Sequence, residues 1–271
     1  MKLSHTTPLL LVTPTYPRPL RLSFMRRCAD DFRGVPNLLW IVIEDDSSLN
    51  GDVEQLLVDS GIKHVYLAHG PTRWWGSAQR NWALQYIRDQ HLTGVVYFAD
   101  DDNKYELPLF EELRKIKRLG ILPVGCLGPR GIESPIVRDG RIVGWSADWQ
   151  SRKYPVDMAG FGFNAALLAE MTGDLWAPRD TTGETEFIER LVGSADQLEL
   201  LCNDCRDCYV WHNVPAGWSI RLSLIAYLVR RHAPAFMRRT LNRAFRQLWL
   251  TDGKLKSFPS VSRPQSRSNV A

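Results

Sequence analysis

Apolar and polar positions alternate along the first 130 residues with two different periods. Leu9–Val12 is a short apolar run broken by Thr13-Pro14-Thr15-Tyr16-Pro17, which predicts a strand running into a loop. Leu22, Met25, Cys28 or Ala29, and Phe32 recur at helical spacing, so residues 20–32 read as a helix with one apolar face. Leu38–Ile43 predicts a second buried strand that ends in Glu44-Asp45-Asp46. A helix over Val53–Asp59, a strand over Lys63–Leu67, a helix over Ala78–Gln90 and a strand over Gly94–Ala99 follow. The last of these runs into Asp100-Asp101-Asp102-Asn103, and Leu107–Leu119 reads as the next helix.

Strands alternating with helices of this length build βαβ units and a mostly parallel sheet, so the fold class is α/β. Ligands of such sheets bind outside the carboxyl ends of the strands. Three strand ends carry polar clusters, Thr13–Arg18, Glu44–Asp46 and Asp100–Asn103, and all three are expected to line one crevice. Beyond residue 120 the pattern shifts to short apolar pieces with turns, including Leu122–Leu127, Ile136–Val137 and Ile142–Trp145 around an Asp139-Gly140 hairpin signal. Phe187–Val192 reads as a helix and Tyr209–Trp211 as a final strand. The predicted division is a body over 1–218, with one half over 1–120 that carries the three polar strand ends and a second half over 121–218. A basic helical tail over 219–250 and a disordered end over 251–271 complete it.

Composition changes this picture in one respect. With 44% hydrophobic and 24% charged residues in 271, the chain is ordinary globular material, and no apolar run approaches the roughly 20 residues of a membrane span. Met1–Thr7 has no secretory character. The net charge of +4 is unevenly placed: residues 219–271 hold 11 Lys/Arg and one acid, leaving a body of −6. Such a tail calls for an anionic surface. The five cysteines are too few and too scattered for a disulfide framework, which favours a reducing compartment. Cys202-x-x-Cys205-x-x-Cys208 reads as a metal or cluster site with His212 as its nearest fourth ligand, or as a loop before a strand.

Three carboxylates at the end of the apolar strand Val95–Phe98 repel one another unless a cation is present. Hard oxygen ligands at this density suit Mg²⁺ or Mn²⁺ held by one or two carboxylates and substrate phosphates. A metal–diphosphate site in a parallel-sheet crevice implies a nucleotide-linked substrate; the alternative is a solvated acidic turn before the next helix.

Val96-Tyr97-Phe98-Ala99-Asp100-Asp101-Asp102-Asn103-x-Tyr105 resembles the metal-binding segment of the family 43 glycosyltransferases, the β-1,3-glucuronosyltransferases. Val12–Tyr16, Trp40–Asp45, Gln79-Arg80-Asn81-x-Ala83-Leu84, Pro155–Phe161 and Val210-Trp211-His212 are similar to further family segments in the same order, over about residues 8–214. The resemblance implies a GT-A fold, with a Rossmann-like, mostly parallel sheet and a mixed acceptor-side half, to which the basic C-terminal helices are added. It implies a metal-dependent inverting sugar transferase that uses a UDP-sugar. Tyr16, with Pro14 and Thr15, would meet the uracil, Asp45 would hydrogen-bond the base, and Asp100 with Asp101 would reach the ribose side. Asp102 would bind Mn²⁺, or Mg²⁺ in its place. Arg80 would reach the donor sugar or phosphate, Asp157 the donor sugar, and His212 the diphosphate. Glu133, Trp149 and Arg152 fall where the family grips its acceptor.

Inversion requires one general base on the acceptor side. Within the resemblance that base falls on Glu184, with Glu186 as the fallback; the competing reading of either is favourable charge at a helix N-terminus. Trp74-Trp75 reads as a sugar platform or as loop packing, and Arg179 as a partner of a donor carboxylate or a surface residue. Two positions depart from the family pattern: Trp75 and Val214 stand where a basic residue is expected. Glucuronate therefore competes with the neutral donors UDP-xylose, UDP-glucose and UDP-galactose.

In the tail, Leu222, Leu224, Ile225, Tyr227 and Leu228, and then Phe236, Met237, Leu241, Phe245, Leu248 and Trp249, share helical spacing with Arg238, Arg239, Arg243 and Arg246. This is the pattern of an in-plane membrane helix, with helices packed on the body as the alternative. Family members of animals and plants carry an N-terminal Golgi anchor. Without one, the expectation is a bacterial-type enzyme peripheral to the cytoplasmic membrane, or the Golgi lumen for a truncated chain. The expected partners are a UDP-sugar, a glycan acceptor that is lipid-linked and part of surface polysaccharide synthesis, an anionic membrane and a second copy of the chain. Nucleic acid is not among them, since no motif accompanies the charge. A non-catalytic, glycan-binding scaffold is the alternative of another class.

Overall fold

The structure, a computed structural model, describes residues 7–72, 76–126, 131–147, 151–173, 175–176 and 183–212. Strands β1 (Leu9–Thr15), β2 (Leu38–Glu44), β3 (His64–Ala68) and β4 (Val95–Phe98) run parallel in the order β4-β1-β2-β3. Between them lie α1 (Arg21–Phe32), α2 (Gly51–Ser60) and α3 (Ser77–Asp89), each within a few residues of its predicted span. Side chains on a strand alternate between faces, so β1 feeds two cores. Leu9 and Leu11 pack with Met25 and Phe32 of α1 and Val53 of α2, while Leu10 and Val12 pack with Ala83, Leu84 and Ile87 of α3. A sheet covered on both faces explains why β1 and β2 read as continuous apolar runs.

The second half of the chain completes this sheet and builds another. Helix α4 is Leu107–Leu113, and β6 (Leu119–Ile121), β10 (Phe161–Asn164) and β11 (Glu199–Leu200) extend the sheet as β11-β6-β10-β4. Only β10 runs against its neighbours. Strands β5 (Lys104–Tyr105), β12 (Val210–His212), β7 (Val124–Cys126), β8 (Ile132–Arg138) and β9 (Arg141–Ser146) form a five-stranded mixed sheet in that order. Each sheet thus draws strands from both sides of residue 120. The β8–β9 hairpin turns at Asp139 and Gly140 with φ of 50° and 71°, the two left-handed positions that favour Asp-Gly.

Three differences from the pattern have local causes. The helix expected to run to Leu119 stops at Leu113, because Leu119–Ile121 pairs with both β10 and β11. Strand β10 carries no periodic signal in four residues; Gly162 leaves space there, since a Cβ would come within 3.0 Å of Ile116 Cδ1. Cys202–Cys205 forms a left-handed turn, with φ between 53° and 57° at all four residues. Its first amide donates to Glu112 Oε2 at 2.9 Å. Cys205 and Cys208 point their thiols at backbone carbonyls, and burial pushes each up to about 12. Among the described residues no three His, Cys, Asp or Glu side chains are grouped to hold a metal. The cysteines sit as the loop-before-strand alternative has them, just ahead of β12.

Candidate active site at the strand ends

Adjacent parallel strands place their carboxyl ends side by side. Val12 pairs with Phe98 and Thr15 with Glu44, which brings residues 13–18, 44–46 and 100–103 to one edge of the sheet. Thr13 Oγ1 donates to the Ala99 carbonyl at 2.6 Å and accepts from Trp40 Nε1 at 2.8 Å, fixing β1 against β4 at this edge. Glu44 is fully buried and takes Arg21 Nη1 at 2.6 Å on one oxygen and the Tyr66 hydroxyl on the other. This network anchors the backbone just before Asp45.

Arginines relieve most of the repulsion within the acidic turn. Arg80 pairs with Asp100, and Arg18 pairs with Asp101, which also accepts from Thr15 Oγ1 at 2.9 Å. Asp101 is only 4% exposed; burial pushes its carboxyl up to about 6 against the opposing pull of Arg18. Its carboxylate is consumed internally and braces β1, which differs from the expectation that it faces the donor. Asp102 is the exception. Its carbonyl accepts from Arg27 Nη2 at 2.7 Å, but among the described residues its carboxylate has no ion-pair partner. Burial and the Asp100 charge hold it above the usual carboxylate range, against His212 and Arg18. An acid in that position gains from an incoming cation.

Strand β12 brings His212 to the same turn. Gly125 leaves the face of β7 bare; a Cβ there would run into the Trp211 ring, whose Nε1 donates to Glu106 Oε1 at 2.7 Å. His212 Nδ1 lies 3.0 Å from Asn103 Oδ1 and 3.9 Å from Asp157 Oδ2. Burial works against a charge on this ring, but Asp157, Asp102, Asp100 and Glu133 outweigh it and raise its pKa above the ordinary imidazole value. Asp157 also caps the turn that starts β10, accepting from Ala159 N at 2.9 Å. Glu133, on β8, shares a narrow recess with Trp145, Val156 and Asp157.

Helix α5 (Gly183–Leu191) supplies the remaining acids. Glu184 Oε2 is 3.0 Å from Arg152 Nη1, and Thr185 Oγ1 donates to the Tyr154 carbonyl at 2.7 Å, tying the start of the helix to the segment that leads to Asp157. Phe187 packs 4.8 Å from Trp176 and 6.2 Å from Phe98, so the helix bearing Glu184 and the strand leading to Asp100 share one aromatic cluster. Glu186 is half-buried in the same turn; residues two apart on a helix face different ways, so it does not duplicate Glu184.

At the other end, Tyr16 is 52% exposed, with the Arg18 guanidinium 4.3 Å from its ring centroid. Pro14 flanks Gly76, where a Cβ would approach to 3.2 Å and the backbone is left-handed. Asp45 Oδ1 accepts from Thr72 N at 2.7 Å, and buried Gln79 holds that loop by donating to the His69 carbonyl at 2.7 Å. Trp149, Trp74, Trp75, Arg179, Val214 and the whole of 219–271 lie outside the described residues. Arg18 and Asn103 belong to the polar clusters that the sequence puts at the strand ends, without a role of their own there, and Arg27 carries no signal in the sequence. Arg18 had one available signal, its place two residues after Tyr16, but side-chain direction in a Pro-flanked loop is set by the fold.

Comparison with known proteins agrees with this architecture. Residues 28–214 match the sequence profile of Glycosyltransferase family 43. The chain is 37% identical over 225 residues to Drosophila melanogaster galactosylgalactosylxylosylprotein 3-beta-glucuronosyltransferase P, covering 77% of this chain and 47% of that protein. It is 34% identical over 218 residues to the Rattus norvegicus galactosylgalactosylxylosylprotein 3-beta-glucuronosyltransferase 2, covering 74% and 67%. It therefore spans about half to two thirds of these relatives' lengths. S. aureus TarS 1–349 in complex with UDP-GlcNAc superposes with a TM-score of 0.54 at 12% identity, over 90% of this chain and 73% of that one, a likeness of fold of the GT-A type.

Proposed function

The chain belongs to glycosyltransferase family 43, and from that membership we propose that it moves a sugar, glucuronate by preference, from a UDP-sugar to a hydroxyl of a glycan acceptor with inversion. The observation that most supports this reading is the division of labour in the acidic turn. Asp100 and Asp101 are matched by Arg80 and Arg18, while Asp102 keeps an open carboxylate beside His212. A single hard oxygen ligand completed by substrate phosphates suits Mn²⁺, with Mg²⁺ as the alternative. When bound, the metal would offset the charge of the leaving diphosphate.

The chain's own groups do the rest. Tyr16 stacks on the base, Asp45 accepts a hydrogen bond from it, and Asp100 reaches the ribose. Arg80 and Asp157 orient the donor sugar. His212, kept toward its charged form by the surrounding acids, donates to a diphosphate oxygen. Glu184 takes the proton of the acceptor hydroxyl as its oxygen bonds to the anomeric carbon and the bond to UDP breaks. Arg152 holds that carboxylate before the acceptor arrives and then serves the acceptor with Glu133 and Trp149.

Two sequence positions favour a second donor. Trp75 and Val214 replace basic residues of the family pattern, and a glucuronate carboxylate is best met by a bidentate Arg, so UDP-xylose, UDP-glucose or UDP-galactose is the competing choice. The seven arginines and no acids of 219–250 support docking at an anionic membrane, and with it a lipid-linked acceptor of surface polysaccharide synthesis. Among the described residues no helix is long and apolar enough to cross a membrane.

The deciding experiment is calorimetry and turnover with a UDP-sugar panel and Mn²⁺. Preference for UDP-glucuronate supports the first donor and makes Arg179 the next residue to replace. Preference for a neutral sugar supports the second. Binding of none of them overturns the enzymatic reading in favour of a non-catalytic scaffold.

A further inference from the structure

Four side chains from the β1–α1 segment form an alternating stack beside the acidic turn. The Arg18 guanidinium lies 4.3 Å from the Tyr16 ring centroid and 5.4 Å from that of Phe24, and Arg27 lies 5.2 Å from Phe24 on the same helix. Both arginines end on the turn. Arg18 pairs with the Asp101 carboxylate, and Arg27 Nη2 donates to the Asp102 carbonyl at 2.7 Å. The Cys28 thiol adds a third contact from α1, 3.4 Å from the Asp101 carbonyl. Arg18 Nη1 is buried with no hydrogen-bond partner among the described residues, so contact with the Tyr16 and Phe24 rings, beside its ion pair, holds the guanidinium. A planar guanidinium can stack on a ring and bind a carboxylate at once, whereas a lysine ammonium can sit over a ring but has no plane to stack on it.

We propose that Arg18 is a positioning residue that couples the nucleobase end of the site to its acid end, orienting the Tyr16 ring through one face and the Asp101–Asp102 turn through its ion pair. Phe24 and Arg27 complete the ladder and hold the Asp102 backbone from α1. The proposal rests on the reading of Tyr16 and Asp102 as donor-site residues. It adds that the two are set by one guanidinium, so neither can be optimised independently of the other.

Arg18→Lys and Arg18→Met separate the two duties. Lysine keeps the charge for Asp101 and loses the stacking plane; methionine keeps bulk and loses both. Three readouts are taken on the full chain. The first is the ¹⁹F resonance of Tyr16 in fluorotyrosine-labelled protein without ligand, assigned with Tyr16→Phe. The others are the affinities for UDP and for inorganic diphosphate, each with Mn²⁺. Arg18→Lys is expected to move the Tyr16 resonance and weaken UDP about tenfold while leaving diphosphate within about twofold. Arg18→Met is expected to weaken both ligands. An unmoved resonance with unchanged UDP affinity in Arg18→Lys overturns the proposal, as does equal weakening of UDP and diphosphate in that variant. If wild-type protein binds neither ligand, the donor-site reading itself fails, and the resonance still reports whether Arg18 orients Tyr16. Should Arg18→Met not fold, Arg18→Lys carries the decision.

Discussion

Arg152 Nη1 lies 3.0 Å from Glu184 Oε2, with the two side chains 13% and 21% exposed. The cation comes from the segment before β10 and the acid from the first turn of α5, so their meeting joins that segment to the helix whose Phe187 packs on Phe98 of β4. A carboxylate so held has its orientation fixed by the pair.

Glu184→Gln is expected to lower transfer by roughly 10²–10⁴-fold while UDP affinity stays the same, because only proton removal from the acceptor is lost. Turnover at the wild-type rate would move the base to another acid, with Glu186→Gln the next variant to assay.

Asp102→Ala should abolish the difference between UDP affinity with Mn²⁺ and with EDTA. Wild-type protein treated with EDTA should behave like the variant and recover when metal is returned. Titration calorimetry giving equal metal dependence in both proteins would refute Asp102 as the ligand.

Asp101 gives a pH signature. Its folded pKa of about 6 lies above the unfolded carboxylate value, so the native state holds the proton more tightly than the unfolded chain. The contribution of this group to stability is present at low pH and lost as pH rises from about 4 through about 6, on the order of 3 kcal/mol in all. The gap in Tm between wild type and Asp101→Asn should narrow over that range. A gap that widens would mean that Arg18 holds Asp101 below its unfolded value.

Gly70→Ala should weaken UDP binding and cost about 1–3 kcal/mol of stability. The new Cβ would overlap Asp45 Oδ1 and lie 2.7 Å from Asp46 N, displacing the acid proposed to hydrogen-bond the nucleobase. Thermal unfolding and UDP titration of the variant check both halves.

Replacing Arg238, Arg239, Arg243 and Arg246 by Gln should release the protein from phosphatidylserine vesicles, at about 1 kcal/mol per charge removed. Co-sedimentation as strong as that of wild type would assign the membrane contact to another surface.

Periodicity made the parallel half of the sheet legible, because strands buried on both faces leave apolar runs and the crossing helices leave an apolar stripe. The same pattern put Thr13–Arg18, Glu44–Asp46 and Asp100–Asn103 at neighbouring strand ends. Strand β10 left no such trace: four residues with a central glycine are too short for a period, and their partners Val96 and Leu119 lie far off in the chain. The helical pattern runs past the end of α4 for a different reason: pairing with β10 and β11 overrides it beyond Leu113.

By itself the sequence determined the α/β class, the edge of the sheet that bears the site, and the acids that stand there, because these follow from the order of residues along each strand. The tertiary structure decided how each of these acids is paired. Arg18 and Arg80 reach the turn from other elements, Asp100 and Asp101 take them, and Asp102 is left beside His212. Three consecutive aspartates are alike in a sequence. They become unequal only when side chains distant along the chain converge, since burial and charge at each carboxylate are set by neighbours in space.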